Sequence, residues 1–375
     1  MTIIFWISLS ILVYTFVGYP LFLQVMRILS RPVLKVNKAY NKPISVVMVV
    51  CNEQEVVLNK IKNIFNQDYR NELINLVIID DCSDDNTVSL IESYTDNKII
   101  LLKNSVREGK AVGINKGMEY VSTELVLFVD ARQKISSNTM QDLSSWFVNK
   151  SQTIAVSGEV KFECKSSEKS GMDAYQKYER NIRYNESCVL SVPGVSGAIY
   201  MLRVSSFRPI VEDTILDDVL IPMQGAESGG WVGFDERAVA WDMPSDDWER
   251  EKKRKTRTLN GNYQLLFRNL HWCLPGGHPF WFQYLSHKVL RLTAPIFTLF
   301  MIVASFNLGV DGSFYALIFG LLVVSGILLY PLSLYLPVIN RFTIFRIGTS
   351  FVALNWFNLI GLFQYLFVSK RQSWK

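Results

Sequence analysis

Two apolar runs of strand length end abruptly in acid. Residues 73–87, LINLVIIDDCSDDNT, place Asp80, Asp81, Asp84 and Asp85 after the first run, and 124–132, ELVLFVDAR, place Asp130 after the second. Continuous hydrophobic runs of this length read as strands buried on both faces of a parallel sheet. Ligands of open α/β sheets bind beyond the carboxyl ends of such strands. Carboxylates at that place, in a chain without zinc-type Cys/His spacing, suit a hard divalent cation and a phosphorylated ligand. Asp is also a turn former, and Asp84 and Asp85 read that way. Asp81 and Asp130 read as ligand-facing, because the same pattern occurs twice.

The surrounding pattern alternates. PISVVMVVCNEQEVV predicts a strand over 44–51 and then a helix start, with Asn52, Glu53 and Glu55 where a first helical turn favours negative charge. A helix runs on to about Phe65. LINLVIID predicts the second strand, DDNTVSLIESY a helix, KIILLKN the third strand, REGKAVGINKGMEYV a loop leading into a helix, and ELVLFVD the fourth strand. Strand–helix alternation implies parallel pairing with right-handed crossovers. Past residue 150, IAVSGEVKF is strand-like and MDAYQKYERNIRYNES is helical, with one apolar face. VPGVSGAIYMLR offers Gly194 and Gly197 for close backbone approach, and ILDDVLIP sets Asp217 and Asp218 at a helix start.

Long uncharged segments frame this middle. Residues 1–26, 292–310, 312–340 and 347–369 carry no charge, and each is long enough to cross a hydrocarbon core of roughly 30 Å. The first lacks a basic start and a small-residue cleavage site, so it reads as a retained anchor rather than a signal peptide. Arg27, Arg31, Lys35, Lys38 and Lys42 follow it, Lys288 and Arg291 precede the second segment, and Arg341 and Arg346 follow the third. The positive-inside rule then puts the globular part in the cytoplasm. These flanks account for the net charge of +5, which is no argument for nucleic acid. A fourth crossing would put Lys370, Arg371 and Lys375 outside. Segment 347–369, with Asn355, Asn358 and Gln364, therefore either spans or lies at the interface or among other helices. The five cysteines (Cys51, Cys82, Cys164, Cys188, Cys273) show no paired spacing and read as reduced thiols.

Lys110 reads as a phosphate-binding lysine or as a solvated lysine at a helix start. The P-loop spacing and the Rossmann GxGxxG are both absent. The cluster WEREKKRKTRTLNGNYQLL reads as a cationic clamp for a diphosphate or as a basic membrane-surface patch. His271, His278 and His287 lack metal-ligand spacing and read as structural. Residues 262–291, rich in Trp and Phe, read as an interfacial helix region.

Taken in order, PISVVMVVCNEQE, VIIDDCSDDNT, REGKAVGINKG, LFVDAR, GVSGAIYMLR, DDVLIP and KRKTRTLNGN resemble the motifs of membrane-integrated family-2 glycosyltransferases. That group includes cellulose, chitin and hyaluronan synthases, and the likeness is greatest to the poly-N-acetylglucosamine-synthase-like branch. The resemblance covers most of residues 43–291. It implies a GT-A fold, a Rossmann-like mixed sheet flanked by helices, as a cytoplasmic α/β domain joined to transmembrane helices. The division implied is an anchor over 1–30, the GT-A domain over 43–261, the interfacial region over 262–291, and two or three membrane helices over 292–369.

The implied reaction is inverting, metal-dependent transfer from a nucleoside-diphosphate sugar, most often a UDP-sugar, to a membrane-associated glycan or lipid in bacterial polysaccharide or glycolipid synthesis at the inner membrane. By the resemblance Asn52, Glu53, Asp80 and Asp81 contact the nucleoside, and Lys110 lies near the nucleotide. Asp130 holds Mg2+ or Mn2+ against the diphosphate. Asp218 is the general base, with Asp217 as its alternative. Gly194, Gly197 and Glu186 fall on the acceptor side. Arg254 and Arg257 stand where the family's Q-x-x-R-W motif falls.

Two departures stand out. The family's D-x-D is Asp130-Ala131-Arg132, so the second carboxylate is missing and Arg132 is free to face phosphate instead. Q-x-x-R-W is Arg254-Lys255-Thr256-Arg257-Thr258, so the Trp that stacks under the acceptor in processive synthases is gone. Three readings follow: single addition to a lipid-linked acceptor, a processive synthase with its own translocation channel, and a nucleotide-sugar-binding pseudoenzyme that serves partner subunits of a polysaccharide system.

Overall fold

A computed structural model describes residues 1–30, 38–94, 96, 98–162, 171–243, 248–335 and 343–367. Arg31, Lys35, Cys164, Arg341, Lys370, Arg371 and Lys375 lie outside the described residues. Eight strands form one sheet in the order β3-β2-β1-β4-β7-β6-β8-β5. They are β1 (Ile44–Val50), β2 (Ile74–Asp80), β3 (Ile99–Lys103), β4 (Leu125–Val129), β5 (Lys134–Ile135), β6 (Thr153–Phe162), β7 (Ile199–Arg203) and β8 (Trp231–Asp242). The expected four strands pair in parallel as β3-β2-β1-β4. The sheet then turns mixed, because β7 runs antiparallel to both β4 and β6.

Eleven described helices surround it: α1 (Thr2–Ser30, one continuous helix with a π-turn at Tyr14–Gly18), α2 (Val57–Phe65), α3 (Thr87–Ser93), α4 (Lys110–Met118), α5 (Thr139–Asn149), α6 (Gly171–Val189), α7 (Asp217–Ala226), α8 (Trp248–Arg268), α9 (Trp281–Val310), α10 (Phe314–Tyr335) and α11 (Thr343–Phe367). Two cores result. One packs Ile44, Met48, Ile61, Ile78 and Leu127 beneath α2 and α5, and the other packs Val47, Ile79, Ile114, Tyr200 and Val219 beneath α4 and α7. Such burial is what the all-apolar β1, β2 and β4 require, with roughly 25 cal/mol gained per Å² of apolar surface removed from water. Gly117 sets the height of α4, since a Cβ there would stand 2.6 Å from Ile79 Cδ1. That close approach carries Lys110, at the amino end of α4, to the carboxyl edge of the sheet. Helix α2 begins at Val57, later than the acidic residues suggested, so Asn52, Glu53 and Glu55 belong to the loop before it.

Among the described residues three helices are long and apolar enough to cross a membrane: Thr2–Ser30, Trp281–Val310 and Phe314–Ser333. The amino half of α1 packs Phe5 against Met301 and Ala304 of α9. Its carboxyl half packs Tyr19 and Leu23 on Ile182 of α6. Within segment 347–369, helix α11 packs on α8 and α9. Asn358 of α11 accepts from Tyr263 Oη of α8 at 2.8 Å and donates to Leu292 O of α9 at 2.8 Å, while Tyr365 stacks on Phe267.

Residues 262–291 are not a single interfacial helix. The stretch is the end of α8, a short turn through Leu270–Cys273, and the start of α9. Pro275 and Gly276 (φ 81°) break it. Its aromatics do not all lie on a surface: Trp272 is wholly buried, and His278 Nε2 meets Met223 O at 2.9 Å in the core.

Candidate active site

The turn after β2 is tied down from within. Asp81 is fully buried and accepts from Asn104 Nδ2 (3.0 Å) and from the backbone N–H groups of Glu108 (2.8 Å) and Gly109 (2.9 Å). Asp80 accepts from Ser83 N–H at 3.1 Å and from its hydroxyl at 2.5 Å. Both carboxylates act on the chain itself, and Asp81 clamps the loop that delivers Lys110. On the rim, Asn52 takes a left-handed conformation (φ 56°) and accepts from Asp84 N–H at 2.8 Å. Glu53 is paired with Arg132 Nε at 2.8 and 3.0 Å. Burial pushes the Glu53 carboxyl up, against the pull of Arg132. Arg132, which replaces the second carboxylate of the D-x-D pattern, thus closes on Glu53. Asp84 pairs with Arg107, and Asp85 accepts from Thr87, as turn residues do.

The chemistry gathers one strand further on. Lys110 Nζ donates to Asp130 Oδ1 at 3.0 Å and stands 3.3 Å from Asp217 Oδ2. Burial opposes its charge, but Asp130 and Asp217 hold the ammonium well above the ordinary lysine range. Asp217 and Asp218 open α7. Asp217 Oδ2 is buried with no hydrogen bond among the described residues, its approach to Lys110 being electrostatic only. Asp218 Oδ2 accepts the backbone N–H of Gly197 at 3.1 Å. Burial, then the Asp217 charge, pushes the Asp218 carboxyl up to about 6, while Lys110 and Lys288 pull the other way. A half-buried carboxyl beside a like charge, with its pKa drawn toward neutrality, is what a general base needs.

The remaining expected residues are placed differently. Gly194 (φ 116°) and Gly197 face α7 rather than an open cleft: a Cβ at the first would meet Val219 at 3.1 Å, and at the second Asp218 Oδ2 at 3.3 Å. Gly197 seats the Asp218 carboxylate, and Gly194 lies against Val219. Glu186 is sealed in the interior, accepting from Tyr19 Oη at 2.6 Å with His287 Nδ1 at 3.0 Å, so its burial removes it from the acceptor side. Arg254 turns to Asp242 at 3.4 Å, and Arg257 is exposed one turn along α8.

Tyr200 escaped the sequence. Its ring stacks on Phe128, and its hydroxyl is buried with no partner among the described residues. Burial, and then Asp217, Asp218 and Asp130, hold its pKa well above the ordinary range. A tyrosine inside an apolar strand gives no sign of what its hydroxyl faces. A separate cavity of about 810 Å³ opens beyond Arg132, walled by Lys60, Lys62, Lys134 and Trp241, and none of Lys110, Asp130, Asp217 or Asp218 lines it.

Among the described residues no three His, Cys, Asp or Glu side chains gather at metal-ligand spacing. Asp130 still offers one hard-oxygen ligand: its side chain is 40% exposed at the carboxyl end of β4, with Lys110 on Oδ1. Magnesium-like ions bind through one or two carboxylates, substrate phosphates and water. The donor set fits a cation shared with a diphosphate, not a metal held by the protein alone.

Residues 45–210 match the Glycosyl transferase family 2 model. The chain is 19% identical over 240 residues to "Probable glycosyltransferase YdaM" of Bacillus subtilis, covering 60% of this chain and 57% of that protein. Over 88 residues it is 30% identical to the Escherichia coli "UDP-Glc:alpha-D-GlcNAc-diphosphoundecaprenol beta-1,3-glucosyltransferase WfgD", covering 24% of this chain and 34% of that one. The chain thus spans about half or less of the length of these relatives. Among solved structures, the mannosyltransferase PcManGT from Pyrobaculum calidifontis, in complex with GDP-Man and Mn2+, shares the fold with a TM-score of 0.73 at 18% identity. The match covers 97% of this chain and 99% of that one, so the common fold takes in the apolar helices as well as the sheet.

Proposed function

We propose that this chain, with its family-2 domain, is an inverting membrane glycosyltransferase that moves a sugar from a nucleoside diphosphate, a UDP-sugar in the first instance, to a lipid-borne acceptor at the cytoplasmic face of the inner membrane. The observation that carries the reading is the ammonium of Lys110 set between Asp130 and the Asp217–Asp218 pair at the carboxyl edge of the sheet. Asn52 and Glu53 form the rim over which the nucleoside lies, and Asp81 holds the loop that brings Lys110 to the diphosphate. Asp218 takes the proton of the acceptor hydroxyl. The acceptor oxygen then forms its bond to the anomeric carbon as the bond from that carbon to the diphosphate breaks, and the nucleoside diphosphate leaves with the electron pair. A base opposite the leaving group inverts the configuration. Lys110 neutralises charge on the departing diphosphate. A divalent cation held by Asp130 would add Lewis-acid stabilisation of the same oxygens. Gly197 keeps Asp218 aimed through its N–H.

The relatives favour this reading. The Escherichia coli relative is named for a UDP-sugar donor and a polyprenol-linked acceptor. The loss of the acceptor-stacking Trp at 258 favours single addition over processive synthesis. The decisive test incubates the purified full chain in lipid with UDP-, GDP- and dTDP-sugars, Mg2+ or Mn2+, and an extract of membrane lipids. Sugar transfer by wild type and none by Asp218→Asn is expected. Donor binding without transfer or donor hydrolysis by wild type would instead indicate a binding subunit, and a ladder of long products would indicate a processive synthase.

A further inference from the structure

A cavity of about 180 Å³ lies where α1, α6, α8, α9 and α11 meet. Phe16, Leu292 and Phe351 make its apolar wall, while Lys288, Arg291 and Asn262 make its polar wall. It sits at the border between the two halves of the molecule. On one side α1 packs on apolar α9 and on Phe319 of α10; on the other, Tyr178 Oη of the globular domain donates to Phe16 O at 2.8 Å and Tyr14 Oη meets Ser286 Oγ at 2.9 Å. This is the level at which a lipid's polar head would meet the domain.

The charges at this place are incompletely matched. Arg291 pairs through Nη1 with Glu179, yet its Nε and Nη2 are buried and donate to nothing among the described residues, with the side chain only 14% exposed. Glu179 also meets His287 Nε2 at 3.1 Å, and Glu186 meets His287 Nδ1 at 3.0 Å and Tyr19. Both carboxylates are thereby occupied. Lys288 enters no ion pair among the described residues. Two guanidinium nitrogens without an acceptor and an unmatched ammonium, in a cavity walled in part by the apolar helices α1, α9 and α11, call for an anion with several acceptor oxygens. Buried donors left unpaired are costly, and a phosphate answers a guanidinium with parallel charge-assisted bonds. Lys288 also acts on the Asp218 carboxyl, which puts the cavity within electrostatic reach of the base.

We infer that this cavity holds the phosphate of a lipid-linked acceptor between Lys288 and Arg291. The inference rests on the lipid-acceptor reading above and names the acceptor's chemical class: a phosphate- or diphosphate-headed lipid rather than a neutral glycolipid.

Binding is measured by calorimetry on the full-length protein in non-ionic detergent, with three probes: farnesyl phosphate, farnesol and inorganic phosphate. Farnesyl phosphate is expected to bind at least about tenfold more tightly than either of the others, the scale of one charge-assisted contact. Lys288→Gln is expected to lose about tenfold for farnesyl phosphate alone while binding UDP as wild type does, which shows that the variant is folded. Arg291→Lys, which keeps the charge but not the fork, is expected to lose affinity in the same direction. Equal binding of farnesol would overturn phosphate recognition, equal binding of inorganic phosphate would reduce the site to a free-anion site, and unchanged affinity in Lys288→Gln would overturn the assignment. The readout needs no sugar transfer. A protein that binds farnesyl phosphate but transfers no sugar refutes the proposed function alone, and one that glycosylates a neutral lipid without binding the phosphate probe refutes this inference alone.

Discussion

The backbone N–H of Gly197 donates to Asp218 Oδ2 at 3.1 Å, so the loop leading into β7 fixes the aim of the carboxylate that opens α7. A Cβ at Gly197 would stand 3.3 Å from that oxygen and 3.5 Å from the Asp218 Cβ. Gly197→Ala is therefore expected to displace the base by a few tenths of an ångström. Since ~1 Å of misplacement costs about a hundredfold in rate, kcat should fall by roughly tenfold with little change in the KM for donor. Steady-state kinetics with purified variant and wild type check this; an unchanged kcat would remove Asp218 from the reaction.

The pH profile carries a second test. The Asp218 carboxyl, pushed up to about 6 by burial and by Asp217, serves as base only when deprotonated. Transfer should rise with pH through that region and level off above it. Asp217→Asn removes the repelling charge and leaves Lys110 acting on Asp218, so the acidic limb of kcat/KM moves to lower pH. A limb that moves to higher pH contradicts the electrostatic assignment.

Replacing Lys110 should act in the opposite direction. Lys110→Gln deletes the ammonium that pairs with Asp130 and Asp217 and that lowers the Asp218 pKa. The acidic limb then shifts upward, and donor affinity weakens by about tenfold or more, the worth of one charge-assisted contact. Fluorescence titration with UDP, run beside the pH profile, separates the two effects.

Chelation addresses Asp130. With its side chain 40% exposed and no three-ligand cluster among the described residues, any cation is shared with the donor and readily removed. EDTA is expected to abolish transfer, excess Mg2+ or Mn2+ to restore it, and Asp130→Asn to raise the metal concentration needed. Full activity in EDTA would assign diphosphate neutralisation to Lys110 alone.

Tyr19→Phe tests the joint between anchor and domain. The Tyr19 hydroxyl bonds the fully buried Glu186 at 2.6 Å, and its loss should cost about 1–3 kcal/mol of stability, as for a buried hydrogen bond to a charged group. Thermal unfolding of the full chain in detergent gives the measure, with an unaltered transition counting against the joint.

Much of this was legible in the chain. The apolar runs of β1, β2 and β4 and the acids that end them could be read directly, because burial on both faces leaves a local signature. So could Lys110 at the head of α4 and the Asp217–Asp218 pair at the head of α7. What escaped depends on distant partners. The resemblance implied a mixed sheet, but nothing within IYMLR announces that β7 is the strand that runs antiparallel between β4 and β6. Glu186 read as an acceptor-side residue because its partners, Tyr19 and His287, lie 167 and 101 positions away. Asp81 read as a nucleoside contact, whereas the backbone N–H groups of Glu108 and Gly109 engage it. The aromatic content of 262–291 suggests one interfacial helix, but Pro275 and Gly276 break the path.

Tyr263, near the end of α8, shares its hydroxyl between Leu292 O at 3.0 Å and Asn358 Oδ1 at 2.8 Å. Both acceptors belong to segments that a soluble truncation would discard. Cutting the chain after Arg268 therefore does not liberate a self-sufficient catalytic fragment: it strips the acceptors from a buried phenol and bares the side of α8 on which Gly361 rests against Leu259. Biochemistry on this protein belongs in nanodiscs or detergent with the chain intact.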